Sequence, residues 1–328
     1  MNGADAVRAG EVAEEAGDFA EAMAAYRTAL DDPDPRVVAD AHFHLGRASW
    51  RQGRFDAAIE GFGAARSIAV GLGANDIRAQ AENGMGAVFY ARGAYAQARA
   101  AYYVALEFTA DAVMRAKILL NLGVIANIEG DLDGARGIYM RSRATFAEAG
   151  DQGGEILALH NLGMLHADRH EWDEAEEVYK RCLELCELRG NRPMIASVLI
   201  NRSELSCARE AFENAIADCD LAIAICAETG DEVQRGEASR WKGHALRRMG
   251  HHALAELALR DAVRIARRTQ VKLLEAEAAR ELATSAAARA DDRLARKWYD
   301  RALTLFDDLG ARRESAEVRA ERDRLTGG

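Results

Sequence analysis

Small and apolar residues return along this chain in a fixed order. A Leu-Gly-like pair is followed by a turn glycine, an aromatic or leucine, an alanine, a second aromatic and a final small residue. One unit reads Leu45-Gly46, Gly53, Phe55, Ala58, Phe62 and Ala65, and the next reads Met85-Gly86, Gly93, Tyr95, Ala98, Tyr102 and Ala105. Two more follow with Leu122-Gly123, Gly130, Leu132, Ala135, Tyr139, Ser142 and Leu162-Gly163, His170, Trp172, Ala175, Tyr179, Cys182. The pattern is worn but present around Gly10, Ser203, Gly243 and Ala283. Such a motif predicts a pair of helices. The small residue sits mid-way along the first helix, the turn glycine ends it with φ > 0, and the aromatics lie on the second.

The first small residue recurs at 10, 46, 86, 123, 163, 203, 243 and 283. Eight helix pairs are therefore expected over 4–306, within a single array covering 1–328. The charged segment 312–325, with sparse Ala316, Val318 and Leu325, is expected to be a capping helix over the exposed end. The residue without bulk is expected to admit the second helix at Ala58 and its equivalents. The aromatics are expected to fill the wedge between successive pairs. Pro33, Pro35 and Pro193 are placed between pairs, outside the helices.

Residues carrying this pattern resemble the tetratricopeptide repeat family, over nearly the whole chain. Spacings of 36 to 40 residues exceed the family's usual ~34. The longer form is similar to repeats of kinesin light chains, spindle adaptors, bacterial quorum-peptide receptors and sensor domains of bacterial activators. The resemblance implies an all-α, right-handed superhelical solenoid whose first helices line a concave groove. It also implies binding of a protein or peptide, without catalysis and without a cofactor. Because the array is expected to fill the chain, an output would pass to a partner in trans.

Composition narrows the functions. Acidic residues number 53 against 43 Lys plus Arg, a formal charge of −10, which disfavours nonspecific nucleic-acid binding. No apolar run is long enough for a membrane span, and the N-terminus has no apolar core of a secretion signal. Five cysteines, an odd set, fit a reducing compartment, so a cytoplasmic location is expected.

Two features mark candidate binding residues. Asn121, Asn161 and Asn201 stand two residues before the small residue in three consecutive repeats, with Asn83 one residue off. A row of amides offers donors and acceptors at regular intervals, as peptide backbone does. In the resembling receptors such rows hold peptide backbone. The alternative is that each asparagine bonds its neighbouring helix and fixes the stacking. The second feature is a basic stripe: Arg47, Trp50 and Arg51 near one end, and Arg240, His244, Arg247, Arg248 and Arg280 near the other. Arginine forks suit the carboxylates of an acidic peptide or a free C-terminus. Here the alternative is a solvated face compensated by Asp40, Glu204, Glu237 and Glu277. Tyr90, Asn127, His160 and Met164 lie between, and Tyr90 could anchor a partner's side chain.

Catalytic and metal chemistry have little support. His160, His166 and His170 are read within one helix, the last two at a metal-capable spacing. Both, however, occupy pattern positions held elsewhere by Phe89 and Gly93, which favours a structural role. Cys182 replaces the pattern's last small residue, and Gly84-Met85-Gly86 lies mid-helix with no preceding strand. Three readings follow: a peptide or protein receptor, an enzyme or enzyme subunit using His160, His244 and Arg240, and a scaffold that self-associates through its worn end repeats.

Overall fold

The computed structural model describes residues 2–325, so Met1 and 326–328 of the expected array lie outside the described residues. The chain divides into two compact units, Met1–Asn161 and Leu162–Gly328. The first holds helices α1 (Gly3–Glu15), α2 (Phe19–Thr28), α3 (Pro35–Arg51), α4 (Phe55–Leu72), α5 (Asn75–Ala91), α6 (Tyr95–Phe108), α7 (Ala112–Ile128) and α8 (Leu132–Glu148). The division falls inside α9 (Gln152–Asp168). The second holds α10 (Trp172–Leu188), α11 (Arg192–Ala208), α12 (Phe212–Thr229), α13 (Glu232–Arg248), α14 (His252–Thr269), α15 (Lys272–Ala288), α16 (Asp292–Asp308) and α17 (Arg312–Arg324). Among the described residues every regular element is helical, and odd and even helices alternate as the two members of each pair.

Local signals explain these boundaries. Asp18, Asp111, Asp131, Asn191, Asp231 and Asp291 cap the helices that follow them, their side chains accepting from backbone N–H groups two or three residues on. The turn within each pair is closed by a residue in the left-handed region. Glycine fills it at 17, 53, 93, 130 and 250, but His170, Glu210 and Ala290 fill it in three other pairs with φ of 59°, 59° and 58°. His170 thus lies beyond α9, not within the helix that carries His160 and His166. Pro35 and Pro193 also differ from expectation. They open α3 and α11 from inside the first turn, where a missing N–H costs nothing.

The cores show why the mid-helix residue must be small. A Cβ on Gly86 would stand 2.6 Å from the Tyr102 ring, and one on Gly163 would stand 2.3 Å from the Tyr179 ring. The second aromatic therefore lies on the small residue of its own pair. This adds to the expectation that the aromatics fill the wedge between successive pairs. Phe62 does both, covering Gly46 of its own pair and Gly84 of the next. The backbones also come close at Gly61, one residue before the ring, where a Cβ would be 2.7 Å from the Gly46 nitrogen, and in the seventh pair a Cβ on Gly243 would be 3.4 Å from the backbone oxygen of Ala255, the equivalent of Ala58. Tyr26, Tyr102 and Tyr179 are fully buried as a result.

Candidate functional site: the first-helix faces

In residues 1–161 the first helices share one face. Phe43 and Trp50 of α3, Met114 and Leu120 of α7, and Leu157 of α9 border a cavity of about 400 Å³, together with Phe62 of α4. Its polar edge is Arg47, Gln80, Asn83, Lys117 and Asn121. Trp50 and Leu157 stay 40% and 43% exposed, large apolar side chains left open to solvent beside one hollow. The Asn83 Oδ1 is buried without a hydrogen-bond partner. Asn121 reaches the rim but also hydrogen-bonds the Tyr102 hydroxyl. Asn161 is half-buried on α9.

Tyr90 and Asn127 do not border this cavity. Tyr90 packs instead against Tyr95, with ring centroids 5.8 Å apart. Arg47 and Arg51 meet one carboxylate, Glu14, at 2.9 and 3.3 Å, and the Tyr26 hydroxyl donates to the same group at 2.8 Å. Burial alone would raise the Glu14 pKa. The bonds from Arg47 and Tyr26, with the charges of Arg47 and Arg51, hold it below the usual range.

The basic stripe of residues 162–328 is likewise closed by carboxylates. Arg240 sits over the Trp241 ring, 4.3 Å from its centroid, and pairs with Glu237 at 3.1 Å and Glu277 at 3.3 Å. His244 and Arg247 both bind Glu281, at 2.9 and 2.7 Å. Arg248 binds Glu210, and Arg280 binds Glu317 and Glu321. Burial tends to raise the Glu281 pKa, but bonds and charges from His244 and Arg247 pull it down to about 2. The expected row of cations open to an acidic ligand is thus a row of ion pairs. The reason is register: acids three residues before Arg240, or on the next first helix, fall on the same stripe.

A second cavity, of about 330 Å³, lies in this unit. Met164, Trp172, Tyr179, Asn201 and Leu205 border it together with Asp168 and Glu204. Asn201 therefore lines a cavity in one unit and Asn121 in the other. His160 is half-buried, and burial lowers its pKa. His166 bonds Glu171 at 2.6 Å. Among the described residues no group of three or more His, Cys, Asp or Glu is arranged to hold a metal ion, and no helix is long and apolar enough to cross a membrane.

Sequence reasoning missed most of the apolar wall. Phe43, Asn83 and Leu120 stand three residues before the small residue of their repeats, and Gln80, Lys117 and Leu157 stand six before it. A helical stripe at those registers was the available signal. The asparagine row, two before the small residue, lies on its edge.

Helix pairs of this length, with a ring on a mid-helix glycine, define a helical-repeat protein. Residues 7–71 and 114–187 each match the tetratricopeptide repeat, and the chain is a tetratricopeptide repeat protein. No curated protein matches the chain. Among solved structures it is similar to aspartyl phosphate phosphatase F from Bacillus subtilis, at 13% identity and a TM-score of 0.66, over 84% of this chain and 73% of that one. It is similar to a Rap protein complexed with competence and sporulation factor, at 12% identity and a TM-score of 0.64, over 99% and 97% of the two chains. A tetratricopeptide repeat protein from Parabacteroides merdae aligns at 15% identity and a TM-score of 0.59, over 86% and 98%. These likenesses concern the fold.

Proposed function

We propose that the chain is a non-catalytic receptor that holds a segment of a partner protein against the first-helix face of residues 1–161, with a large apolar side chain seated in the 400 Å³ cavity. That cavity carries the reading. Its walls are mainly aromatic and aliphatic, five polar side chains complete the lining, and Trp50 and Leu157 gain burial only when something fills it. Burial of apolar area is worth roughly 25 cal/mol per Å², and interface energy concentrates on such anchors. A neighbour of the same fold, complexed with competence and sporulation factor, supports the use of this architecture to hold another molecule.

Within this reading the Asn121 amide contacts the segment's backbone. An amide has two N–H donors and two acceptor lone pairs, so one bond to Tyr102 leaves capacity. Asn161 and Asn201 are proposed for the same role at the same register. Arg47 and Arg51 serve the rim through their remaining donors. We assign Arg240, His244, Arg247 and Arg280 to the ion pairs that join their helices, and a preference for acidic peptides is not carried forward on them. Tyr90 and Asn127 are given no contact.

The test is a selection of random displayed peptides on the full chain, followed by affinity measurements. Enriched peptides are expected to share a large apolar residue. The double variant Trp50→Ala/Leu157→Ala is expected to weaken them at least about tenfold, as for anchor residues generally. Tyr103→Ala, an exposed position on the second helix α6, is expected to leave them unchanged. Equal binding to the double variant and wild type would remove the cavity from the reading.

A further inference from the structure

The cavity in residues 162–328 has a different character. Two carboxylates, Asp168 at the end of α9 and Glu204 on α11, stand in its wall beside the rings of Trp172 and Tyr179. Among the described residues neither carboxylate accepts a hydrogen bond or closes an ion pair. The cation that acts on Glu204 is Arg240, and its guanidinium is already bound to Glu237 and Glu277. One guanidinium thus faces Glu204, Glu237 and Glu277 together. Both acids stay partly exposed, and His170 in the same wall acts on Asp168 as Arg240 does on Glu204, but no cation is bonded to either, and one brought into the hollow is held more strongly than in open water. The Trp172 ring in the same wall adds to the attraction.

We propose that this cavity binds a cationic head group, a guanidinium or a primary ammonium, between the Asp168 and Glu204 carboxylates and the Trp172 and Tyr179 rings. Its volume lies at the small end of ligand sites, which run from about 300 to 1,000 Å³. It therefore suits one arginine or lysine side chain of a polypeptide, or one small free amine. The titration of the two acids agrees. Burial raises Glu204, Arg240 lowers it, and Asp168, Glu277 and Glu237 raise it further, with a raised net result. Burial raises Asp168 as well, against the lowering effect of His170. The inference stands apart from the peptide reading of residues 1–161, and neither fails with the other.

The experiment uses the full chain labelled with 5-fluorotryptophan, with the Trp172 fluorine resonance assigned through Trp172→Phe. Nα-acetylarginine amide is titrated against Nα-acetylcitrulline amide, its neutral isostere, and against agmatine. The arginine probe is expected to shift the Trp172 resonance saturably, and the citrulline probe to bind at least tenfold more weakly. Asp168→Asn/Glu204→Gln, with helicity checked by circular dichroism, is expected to abolish the response. Glu174→Gln/Glu213→Gln, which removes the same charge from exposed positions, is expected to keep it. Tighter binding of the acetylated amide than of agmatine supports a polypeptide side chain as the source, and the reverse supports a free amine. A response equal for arginine and citrulline, no saturable response, survival in Asp168→Asn/Glu204→Gln, or equal loss in the surface control overturns the cation site. The wild-type comparison of the two isosteres decides even where the double variant does not fold.

Discussion

Ala290 turns the chain from α15 into α16 at φ 58°, in a register that five other pairs give to glycine. A Cβ in the left-handed region costs about 1–2 kcal/mol, while glycine loses about 0.5–1 kcal/mol in backbone entropy on ordering. Ala290→Gly is therefore expected to stabilise the protein by roughly 0.5–1 kcal/mol, from the difference of those two effects, measured as a shift in urea midpoint at unchanged m. A lower midpoint would show that the turn is not strained. Glu210 and His170 occupy the same conformation with compensation, since Glu210 binds Arg248 at 2.7 Å and His170 packs 4.8 Å from Trp172. Glycine at either position is expected to gain less than at Ala290.

Along whole helices, the dominant constraint is the ring laid on a small residue. Gly163→Val puts two methyl groups where even a Cβ would stand 2.3 Å from Tyr179, a ring with nowhere to move. The expected loss is about 2–3 kcal/mol, the range for overpacking, less whatever helix propensity returns. Gly163→Ala adds only that Cβ and is expected to cost less than valine but still to destabilise, because the ring and helix must shift as the pair holding Ala283 near the buried Tyr299 already has. Equal stability of the valine variant and wild type, by thermal or urea unfolding, would mean that the pair can spread apart freely. This constraint made the helix pairs legible in the sequence: the small residue, the turn and the ring recur together because each fixes the others. Binding residues obey no such rule. Recurrence of Asn121, Asn161 and Asn201 says that they occupy equivalent places, but which phase of a first helix faces a cavity depends on neighbouring helices. Arg240 could be matched to Glu237 from sequence, three residues apart on one helix. The pairing of Arg47 with Glu14, from α3 to α1, required the fold.

Over the whole molecule the formal charge of −10 conceals two kinds of acid with opposite effects on stability. Glu281 is held at about 2 against an ordinary value of 4.5, so its contribution is complete above about pH 4.5 and is lost as the pH falls towards 2. Each tenfold change in proton affinity is worth about 1.4 kcal/mol, so this contribution is at most on the order of 3–4 kcal/mol. Glu204 and Glu277 are raised by burial, so they oppose folding when ionised, and protonating them relieves that cost. Acidification therefore first removes a penalty in one part of residues 162–328 and then removes a support in another. Stability against urea is expected to hold or rise slightly on descending towards pH 4.5, and to fall steeply below it. Glu281→Gln is expected to be less stable at neutral pH, where it strips Arg247 and His244 of their shared carboxylate, and to show a shallower acid limb. Parallel curves for the variant and wild type below pH 4.5 would mean that the triad of His244, Arg247 and Glu281 does not join α13 to α15 in the way its geometry indicates.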